Sequence, residues 1–225
     1  MKILVSLDFG PVLKYFNTFM NGVLGTLGFS IATIIIGSCL GFIMCLARIS
    51  KFKPLALLAQ GYIAIIRGTP MLIQLFIFAY GIPTFFNISI DLSLAGVIAL
   101  GLNSTAYVAE IFRAGIQAVD VGQMEGCRAM GYSYSFTMWK VIFPQAVKNI
   151  LPSLGNEFVT IVKESSIISV IGLLDITRAS DLAKVGTLKV LETLLFAALL
   201  YLIITSILSY FIRLLERKLN AYGEK

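Results

Sequence analysis

Long apolar runs separated by short charged segments dominate the chain. Residues 15–47 contain no Asp, Glu, Lys or Arg. A helix needs about 20 apolar residues to cross a bilayer core of roughly 30 Å, so we predict a first span at 19–46. The next apolar run, 54–66, is too short to cross alone. We interpret it as an interfacial or partly inserted helix, with the alternative that it forms part of the second span.

The same criterion predicts four more spans. They lie at 70–86, 92–111, 150–174 and 190–212. The second begins where Thr69 is followed by Pro70, which favours a helix start because Thr69 can cap it and proline has no N–H to leave unpaired. The fourth is the least hydrophobic, since it contains Glu157, Lys163 and Glu164. The pattern predicts an all-α integral membrane protein with about five transmembrane helices in one domain.

Small residues in the first apolar run indicate close helix packing. Gly37 and Gly41 are four residues apart, and Gly22, Gly25 and Gly28 precede them. Small side chains let helix backbones approach one another closely in lipid. We expect this helix to pack against others, with the alternative that glycine is simply frequent in membrane helices.

Basic residues are concentrated in particular loops, which indicates the orientation in the membrane. Arg48, Lys51 and Lys53 form a short basic loop directly after the first span. Short loops rich in Lys and Arg lie on the cytoplasmic side. Most of the 18 Lys and Arg residues fall in segments that this rule makes cytoplasmic, including 116–148. We therefore predict a multi-pass membrane protein with its N-terminus outside and its C-terminus in the cytoplasm.

Composition excludes several classes of function. Hydrophobic residues make up 58% of the chain and charged residues 13%, against about 25% charged residues in soluble domains. We therefore attribute the formal net charge of +6 to membrane topology rather than to nucleic-acid binding. There is no histidine, which excludes Ser-His-Asp catalysis and histidine-containing metal sites. The three cysteines lack ligand spacing, and no Gly-Lys pair exists for a Walker A phosphate loop, so we predict neither a metal site nor ATP binding by such a loop.

The cytoplasmic segment 116–148 contains a distinctive run of small and charged residues. Gly131 can end a first helix in a left-handed turn, and Ser133 can cap a second helix, which Pro144 is predicted to close. Small side chains before the turn would allow another protein surface to approach closely. The residues that we predict to carry this contact are Glu125, Gly126, Cys127, Arg128, Ala129, Gly131 and Pro144. The alternative is an ordinary solvated loop helix.

This run resembles the "EAA" loop of ABC-importer permeases. Glu125 is followed six positions later by Gly131, and a hydrophobic-x-hydrophobic-Pro sequence ends at Pro144. The chain departs from the family in having Gly126 and Cys127 where Ala-Ala is favoured, and Phe where Leu is favoured before the proline. In that family the loop docks into a cleft of a separate ATPase subunit.

Three other stretches resemble the permeases of polar amino-acid importers, the histidine, glutamine and arginine group. They are Arg67-Gly68-Thr69-Pro70 with Gln74-Leu75-Phe76, the run from Ala106 to Gly115, and Val162-Lys163-Glu164-Ser165-Ser166. The family usually has Asp-Thr-Ser where this chain has Glu-Ser-Ser. The resemblance implies a type I importer with a second permease subunit, identical or related. It also implies a location in the inner (cytoplasmic) membrane of a prokaryotic cell. The expected partners are two ATPase subunits that bind ATP and Mg and an external solute-binding protein, and no cofactor or catalytic activity is expected in this chain.

Polar residues inside the predicted spans are the candidates for the substrate pathway, because an ionisable group in a membrane must be paired or line a wet cavity. These candidates are Gln74, Asn103, Ser104, Tyr107, Lys163, Glu164 and Ser165. Glu164, with Ser165 and Ser104, could hold a substrate ammonium group, and Lys163 or Asn103 could hold its carboxylate. The alternative is that these groups satisfy one another across a subunit interface.

Four further residues are predicted to have structural or gating roles. Glu110 and Arg113 are expected to form an ion pair or gate, Arg67 to anchor the chain at the interface, and Pro70 to start the second span. A standalone channel or secondary carrier is the main alternative function, although it leaves the structured loop unexplained. A membrane-embedded enzyme is less favoured, because the only Ser-Lys candidates are adjacent residues that point apart on a helix.

Overall fold

The computed structural model describes residues 7–221, with side chains described through residue 219, and this part of the chain is helical without any strand. The all-α prediction is therefore confirmed. A single short turn, α1 (Gly10–Leu13), precedes the first long helix, α2 (Phe16–Arg48). Residues 1–6 and 222–225, where the predicted positions of the two termini fall, lie outside the described residues.

A broken helix follows α2. It consists of α3 (Lys53–Gly68) and α4 (Met71–Phe86), which are bent by 105° relative to one another. The break lies at Thr69 and Pro70, which both have extended backbone. Thr69 is driven out of the helical region because it precedes a proline. The predicted capping by Thr69 is wrong: its hydroxyl turns back to donate to the Ile65 carbonyl, 2.9 Å away.

Helix α5 (Leu92–Gln117) begins at Asp91, whose carboxylate accepts hydrogen bonds from the Ser93 and Leu94 amides. It extends beyond the predicted end of the third span at residue 111. Two short helices, α6 (Val121–Ala129) and α7 (Tyr134–Thr137), then lead into the long helix α8 (Phe143–Glu164).

The closing role predicted for Pro144 is wrong, because the chain remains helical from α7 through a π-helical turn, Met138–Ile142, into α8. The Phe143 N–H bonds to the Met138 carbonyl, five residues back. Proline has no N–H and its ring crowds the carbonyl four residues before it, so the wider turn lets the helix pass the proline. A π-helical turn also comes directly before Pro83 in α4.

The chain after α8 narrows into a 3₁₀ helix, Ser165–Ile171, which ends at Gly172 with a φ of 87°. Two helices complete the described chain, α9 (Ile176–Thr187) and α10 (Val190–Ala221). The predicted outer loop between the fourth and fifth spans therefore contains a helix. That helix is amphipathic, with Ala179, Ser180 and Ala183 buried.

Within residues 7–221, three helices are long and apolar enough to cross a membrane: Phe16–Arg48, Leu92–Gln117 and Val190–Leu219. The bent pair α3 and α4 supplies a fourth span if it is counted as one. Helix α8 is long enough to cross but does not pass the same test of apolarity. The predicted fourth span, 150–174, therefore contains most of the polar helix α8.

Helix α2 packs through small residues. A Cβ on Gly37 would meet Ser104 of α5, and one on Gly41 would meet Val108, so the two backbones are in close contact. Gly22 and Gly25 lie against the backbone of the loop before α9, whereas Gly28 faces open space. The expected close packing of α2 is confirmed at Gly22, Gly25, Gly37 and Gly41, but not at Gly28.

A buried polar network fixes the loop before α9. The Asp175 carboxylate is fully buried and accepts hydrogen bonds from the Thr177 and Arg178 amides and from the Tyr201 hydroxyl of α10. The Ile176 amide donates to Thr26 of α2. The network therefore joins α2, α9 and α10 at one end of the bundle.

Candidate functional site

Glu110 of α5 lies between three arginines, which we call the arginine cluster. Arg113 donates to Glu110 Oε2 from Nε at 3.0 Å and from Nη2 at 2.6 Å. Arg48 Nε lies 3.3 Å from Glu110 Oε1, and Arg67 Nη1 lies 4.0 Å from Oε2. One carboxylate thus connects the ends of α2 and α3 to α5. The predicted pair of Glu110 and Arg113 is present in this larger group; its role as a gate stays a prediction.

A cleft of about 450 Å³ opens beside the arginine cluster, between α5 and α8. The Arg67 guanidinium lies 5.2 Å from the centre of the Tyr107 ring, a cation–π arrangement that holds it at the cleft wall. Glu157 of α8 lines the opposite part of the cleft. The remaining polar lining residues are Glu110, Asn149 and Ser153.

A polar stripe runs along one side of α8. Its members recur every three or four residues, the spacing of one helix face, and are exposed or half-buried in this chain. They are Asn149, Ser153, Asn156, Glu157, Thr160 and Glu164. Other positions of α8 pack against neighbouring helices: Ile150, at the edge of the stripe, contacts Gly115, and Gly155, on the far side, contacts Ile212. The stripe is therefore only partly covered by the rest of this chain.

The predicted substrate residues at the end of α8 separate into two groups. Lys163 and Glu164 are exposed, and Glu164 continues the polar stripe. Ser165 is buried, donates to the Val162 carbonyl at 3.0 Å, and accepts a long hydrogen bond from Ser30 at 3.5 Å. The structure therefore does not bring the Ser165 hydroxyl to the surface that carries Glu164.

The predicted pathway residues Gln74 and Asn103 do come together, but at the helix break. The Gln74 amide donates to the Ile66 carbonyl at 2.8 Å and to Thr69, and its oxygen accepts from Asn103 at 3.0 Å. Both side chains are buried. Their polar atoms fasten the bend between α3 and α4 to α5, and their role in a pathway stays a prediction.

Ser104 and Tyr107, one turn apart on α5, have different surroundings. Ser104 is buried against Gly37, and its hydroxyl has no hydrogen-bond partner among the described residues. Tyr107 is partly exposed and lies on the cleft under Arg67. Of the two, Tyr107 is therefore the residue that a solute in the cleft would meet.

Segment 116–148, which we call the coupling segment, forms two helices around a tight turn. Gly131 has a φ of 86° and follows α6. The Gly131 amide bonds to the Arg128 carbonyl and the Tyr132 amide to the Cys127 carbonyl, the pattern of a Schellman cap. Ser133 then accepts from the Phe136 amide and caps the next helix. The predicted turn and the predicted cap are both confirmed.

The remaining predicted contact residues lie on or beside α6, which has no fully buried residue. Glu125, Gly126, Arg128 and Ala129 are exposed, whereas Cys127 is half-buried. Arg128 also donates to the Tyr132 carbonyl at 2.7 Å and so closes the turn. The exposed surface of α6 is therefore accessible to a second protein. Pro144 is also exposed, but it lies inside α8.

An aromatic group joins the coupling segment to the helices that enter it. Phe42 of α2 lies 5.2 Å from Phe112 of α5 and 5.8 Å from Phe143, measured between ring centres. Phe143 in turn lies 5.2 Å from Trp139. A displacement of the coupling segment would therefore be transmitted to both α2 and α5 by direct packing.

Sequence reasoning missed two residues of this site. From sequence alone, Glu157 is only a charge that lowers the hydrophobicity of the fourth span, and Arg48 is only part of a basic loop. The spacing of the polar stripe is a signal for Glu157 that the sequence contains. No comparable signal exists for Arg48, because its contact with Glu110 depends on how α2 crosses α5. Among residues 7–221, no three Cys, Asp or Glu side chains are grouped as a metal site.

Comparison with known proteins gives a family match over most of the chain. Residues 34–221 match the family described as binding-protein-dependent transport system inner membrane component. The chain is 41% identical over 217 residues to the arginine transport system permease protein ArtQ of Bacillus subtilis (strain 168), covering 96% of this chain and 99% of the relative. It is 40% identical over 205 residues to the probable glutamine ABC transporter permease protein GlnM of the same organism, covering 91% and 94%.

Solved structures agree with the fold. A chain from the crystal structure of an amino acid ABC transporter with histidines aligns with a TM-score of 0.92 at 43% identity, covering 95% of this chain and all of the other. A chain of the inward-facing MetNI methionine ABC transporter aligns with a TM-score of 0.73 at 18% identity, covering 89% and 95%. The second likeness concerns the fold alone.

Proposed function

The chain belongs to the family of binding-protein-dependent transport system inner membrane components, and from that premise we propose that polar amino acids cross the membrane through the cleft beside Glu110. The protein is the transmembrane permease subunit of an amino-acid ABC importer, a multi-pass protein of the inner membrane. A standalone channel or secondary carrier is therefore not favoured.

One observation carries the proposal: the cleft presents a fixed cation and an acid to the same space. A zwitterionic amino acid needs a donor for its carboxylate and an acceptor for its ammonium group. The Arg67 guanidinium could bind the carboxylate in two-pronged fashion, and Glu157 could accept from the ammonium group. Both line the cleft, and Glu157 takes part in none of the ion pairs among residues 7–221.

The polar stripe on α8 supports a continuous path. Six polar residues on one face of a helix inside a bilayer are too costly to turn toward lipid, so they line a wet cavity or a subunit contact. Glu157 and Glu164 are two turns apart on this face, and Lys163 is adjacent. In the proposed path, Lys163 and Glu164 lie beyond the cleft, toward the C-terminal end of α8. This retains the predicted role of Glu164 and adds Glu157 to it.

The substrate class follows from chemistry and from relatives. Relatives at 36–41% identity are named for transport of arginine, glutamine and L-cystine. The cleft presents one strong cation, Arg67, and one acid outside the arginine cluster, Glu157, and this pair suits the backbone groups that all of these amino acids share. We therefore propose polar amino acids as a class, and no single member of it.

The coupling segment would link ATP hydrolysis in a partner subunit to transport through this chain. ABC importers of this family work with ATPase subunits and a binding protein, and we propose that α6 and the turn at Gly131 dock on the ATPase. ATP and Mg would be bound by that partner, since this chain has no Walker A sequence. A second permease subunit, identical or related, would cover the polar stripe from the other side. Closure of the ATPase pair would then rock the helices around the cleft.

Orientation follows from the basic residues. With the coupling segment and the loop at Arg48 in the cytoplasm, the positive-inside rule is satisfied. The arginine cluster then lies toward the cytoplasmic end of the cleft and α9 lies outside. An external solute-binding protein would deliver substrate on the α9 side.

The decisive experiment compares Glu157→Gln with the matched control Glu216→Gln, at an exposed acid of α10. Binding of radiolabelled arginine and glutamine would be measured on the purified complex without its binding protein, and uptake on proteoliposomes. A charge-assisted hydrogen bond is worth about 1.5–3 kcal/mol, so Glu157→Gln should weaken binding by roughly ten- to a hundredfold. The control should bind normally. A well-assembled Glu157→Gln complex with unchanged binding and uptake would eliminate the cleft as the substrate site.

A further inference from the structure

We propose that the loop between α2 and α3 binds the headgroup of an anionic phospholipid at the cytoplasmic leaflet. The site is formed by the basic loop, Arg48–Lys53, together with the start of α3, α7 and the π-helical turn that follows α7. It rests on the proposed orientation but not on the proposed substrate cleft.

Two small clefts flank the basic loop and share Ser50. The larger, about 430 Å³, is lined by residues of the loop and by the coupling segment, among them Lys51, Tyr134 and Trp139. The smaller, about 210 Å³, is lined on the other side by Arg48, Lys53 and Leu57 with their neighbours. The loop therefore presents cations to two adjoining concave surfaces.

The charged residues of the loop itself are all basic, and of these Arg48 is paired with Glu110 of α5. Lys51 and Lys53 are exposed, and neither takes part in an ion pair within the part of the chain that is described. Lys51 Nζ is held 5.5 Å from the centre of the Tyr134 ring, so its ammonium group is positioned over the larger cleft. No acidic residue lies between Arg48 and Lys53. An anion is the ligand that complements these clefts.

The surfaces around the clefts are apolar. Phe52, Leu57 and Leu58 are 65–74% exposed. With α4 crossing the bilayer, the 105° bend lays α3 close to the membrane plane. Trp139, half exposed at the rim, belongs to the residue type that is enriched at the level of lipid headgroups. A ligand with an anionic head and hydrocarbon chains matches both parts of this surface.

These features favour a lipid over a soluble partner. An ATPase subunit would contact the polar coupling segment. The exposed leucines of α3 would instead face the hydrocarbon of the bilayer, because α3 lies close to the membrane plane. Basic pockets at the cytoplasmic ends of transmembrane helices are suited to anionic headgroups. Because Tyr134 and Trp139 belong to the coupling segment, a bound lipid would bridge that segment and the end of α2.

Trp139 is the only tryptophan of the chain and lines the larger cleft, so it reports directly on the site. The full chain would be reconstituted in phosphatidylcholine vesicles that contain brominated phosphatidylglycerol, and quenching of Trp139 fluorescence would be measured. Brominated phosphatidylglycerol should quench at a lower mole fraction than brominated phosphatidylcholine. Glycerol phosphate in solution should not relieve the quenching, which distinguishes a membrane lipid from a free phosphate.

The variant Lys51→Gln/Lys53→Gln removes the two unpaired cations. Its control, Arg213→Gln/Lys218→Gln, removes the same charge from the exposed face of α10. Each lysine near an anionic surface contributes about a fivefold factor in affinity, so the first variant should need roughly 25-fold more phosphatidylglycerol. Lys51→Arg/Lys53→Arg should keep the preference.

Three outcomes would overturn the proposal. The first is equal quenching by the two brominated lipids in the wild-type chain. The second is an equal loss of the preference in the two Gln variants, which would indicate bulk charge attraction. The third is loss of the brominated-lipid effect when the ATPase subunits are added, which would make the ATPase the occupant of the cleft. None of these readouts depends on transport, so a failure of the substrate proposal would be separate.

Discussion

The Asn103 side-chain amide donates a hydrogen bond of 3.0 Å to the Gln74 oxygen and so joins α5 to the first turn of α4. Gln74 in turn donates to the Ile66 carbonyl across the break at Pro70. Where a helix is broken inside a membrane protein, a side chain such as Gln74 replaces the backbone partners that the bend removes. The bend is therefore held by specific hydrogen bonds.

This relationship predicts that Asn103→Ala will destabilise the protein. The Gln74 oxygen would be left buried without a donor, at a cost of about 1–3 kcal/mol. The midpoint of thermal unfolding of the purified complex should fall by roughly 2–4 °C for each kcal/mol. Gln60→Ala, at an exposed position on α3, is the control and should leave the midpoint unchanged. Equal midpoints for the two variants would contradict the role given to this hydrogen bond.

The two ion pairs at Glu110 and Asp181 allow a second, matched comparison. Both contain a contact of 2.6 Å between residues three positions apart. The Glu110 side chain is 17% exposed and lies near three arginines. The Asp181 side chain is 37% exposed and pairs with one lysine. Glu110→Gln should cost roughly 1.5–3 kcal/mol, because three cations lose their acid. Asp181→Asn should cost about 0–1 kcal/mol, as surface pairs do. Thermal unfolding measures both, and a larger effect at Asp181 would contradict the assignment of a structural role to the arginine cluster.

A third prediction concerns the buried carboxylate before α9. Tyr201→Phe keeps the ring but removes the hydroxyl that donates to Asp175 at 2.9 Å and contacts Thr177 at 3.1 Å. The Asp175 carboxylate would lose its donor from α10, at a cost of about 1.5–3 kcal/mol. Tyr210→Phe, at a position that is 55% exposed, is the control. Proteolysis of the region around α9 should become faster in the first variant alone; equal rates would mean that α10 does not fasten this loop.

Local chemistry explains which parts of the site could be predicted from the sequence. Gly131 and Ser133 act on backbone groups within four residues of themselves, so residue type and spacing were sufficient. Pro144 follows the same local rule, but the π-helical turn before it accommodates the proline, and the sequence offers no sign of that turn. The partners of Glu110 and Gln74 come from helices that cross at angles which only the packed bundle determines.

The burial of the predicted polar residues also depends on packing that the sequence does not reveal. Ser165 and Glu164 are adjacent in the chain, yet one is buried against Ser30 and the other is exposed. Glu157 shares a face with Glu164 because it lies two turns earlier, which is a relation that helical periodicity could have supplied. Helical periodicity is therefore enough to predict that α8 has a polar face. Predicting which of two adjacent residues is exposed also requires knowing which way each face of the helix points in the packed bundle.

A fourth prediction tests the coupling segment. Gly131 has a φ of 86° and open space around its Cα, so a side chain would be disfavoured by backbone strain and not by a clash. Gly131→Leu should cost about 1–2 kcal/mol at the turn and place a bulky group on the exposed docking face. Uptake should be abolished, and the loaded binding protein should no longer stimulate ATP hydrolysis, while membrane insertion is retained.

The matched variants for this test are Gly126→Ala and Gly131→Asn. Gly126 lies in a helix with open space around it, so alanine there should preserve or slightly improve α6 and leave uptake normal. Asparagine tolerates the left-handed region better than leucine and should restore part of the stimulation. Normal stimulated uptake in Gly131→Leu would refute the role proposed for this turn.

The last prediction concerns orientation, and the chain supplies one of its own probes. Cys127 is half-buried in the coupling segment, whereas Cys45 is fully buried and Cys39 lies on the predicted first span. In a Cys39→Ser background, an impermeant thiol reagent added to intact cells should leave Cys127 unlabelled until the membrane is opened. In a background that also lacks Cys127, Val185→Cys provides the opposite probe, because Val185 is 76% exposed on α9, and it should be labelled in intact cells. Labelling of Cys127 from outside, or of Val185→Cys only after opening, would reverse the topology. The basic loop at Arg48–Lys53 and the coupling segment would then both face outward, and the proposed ATPase contact and lipid site would fail together.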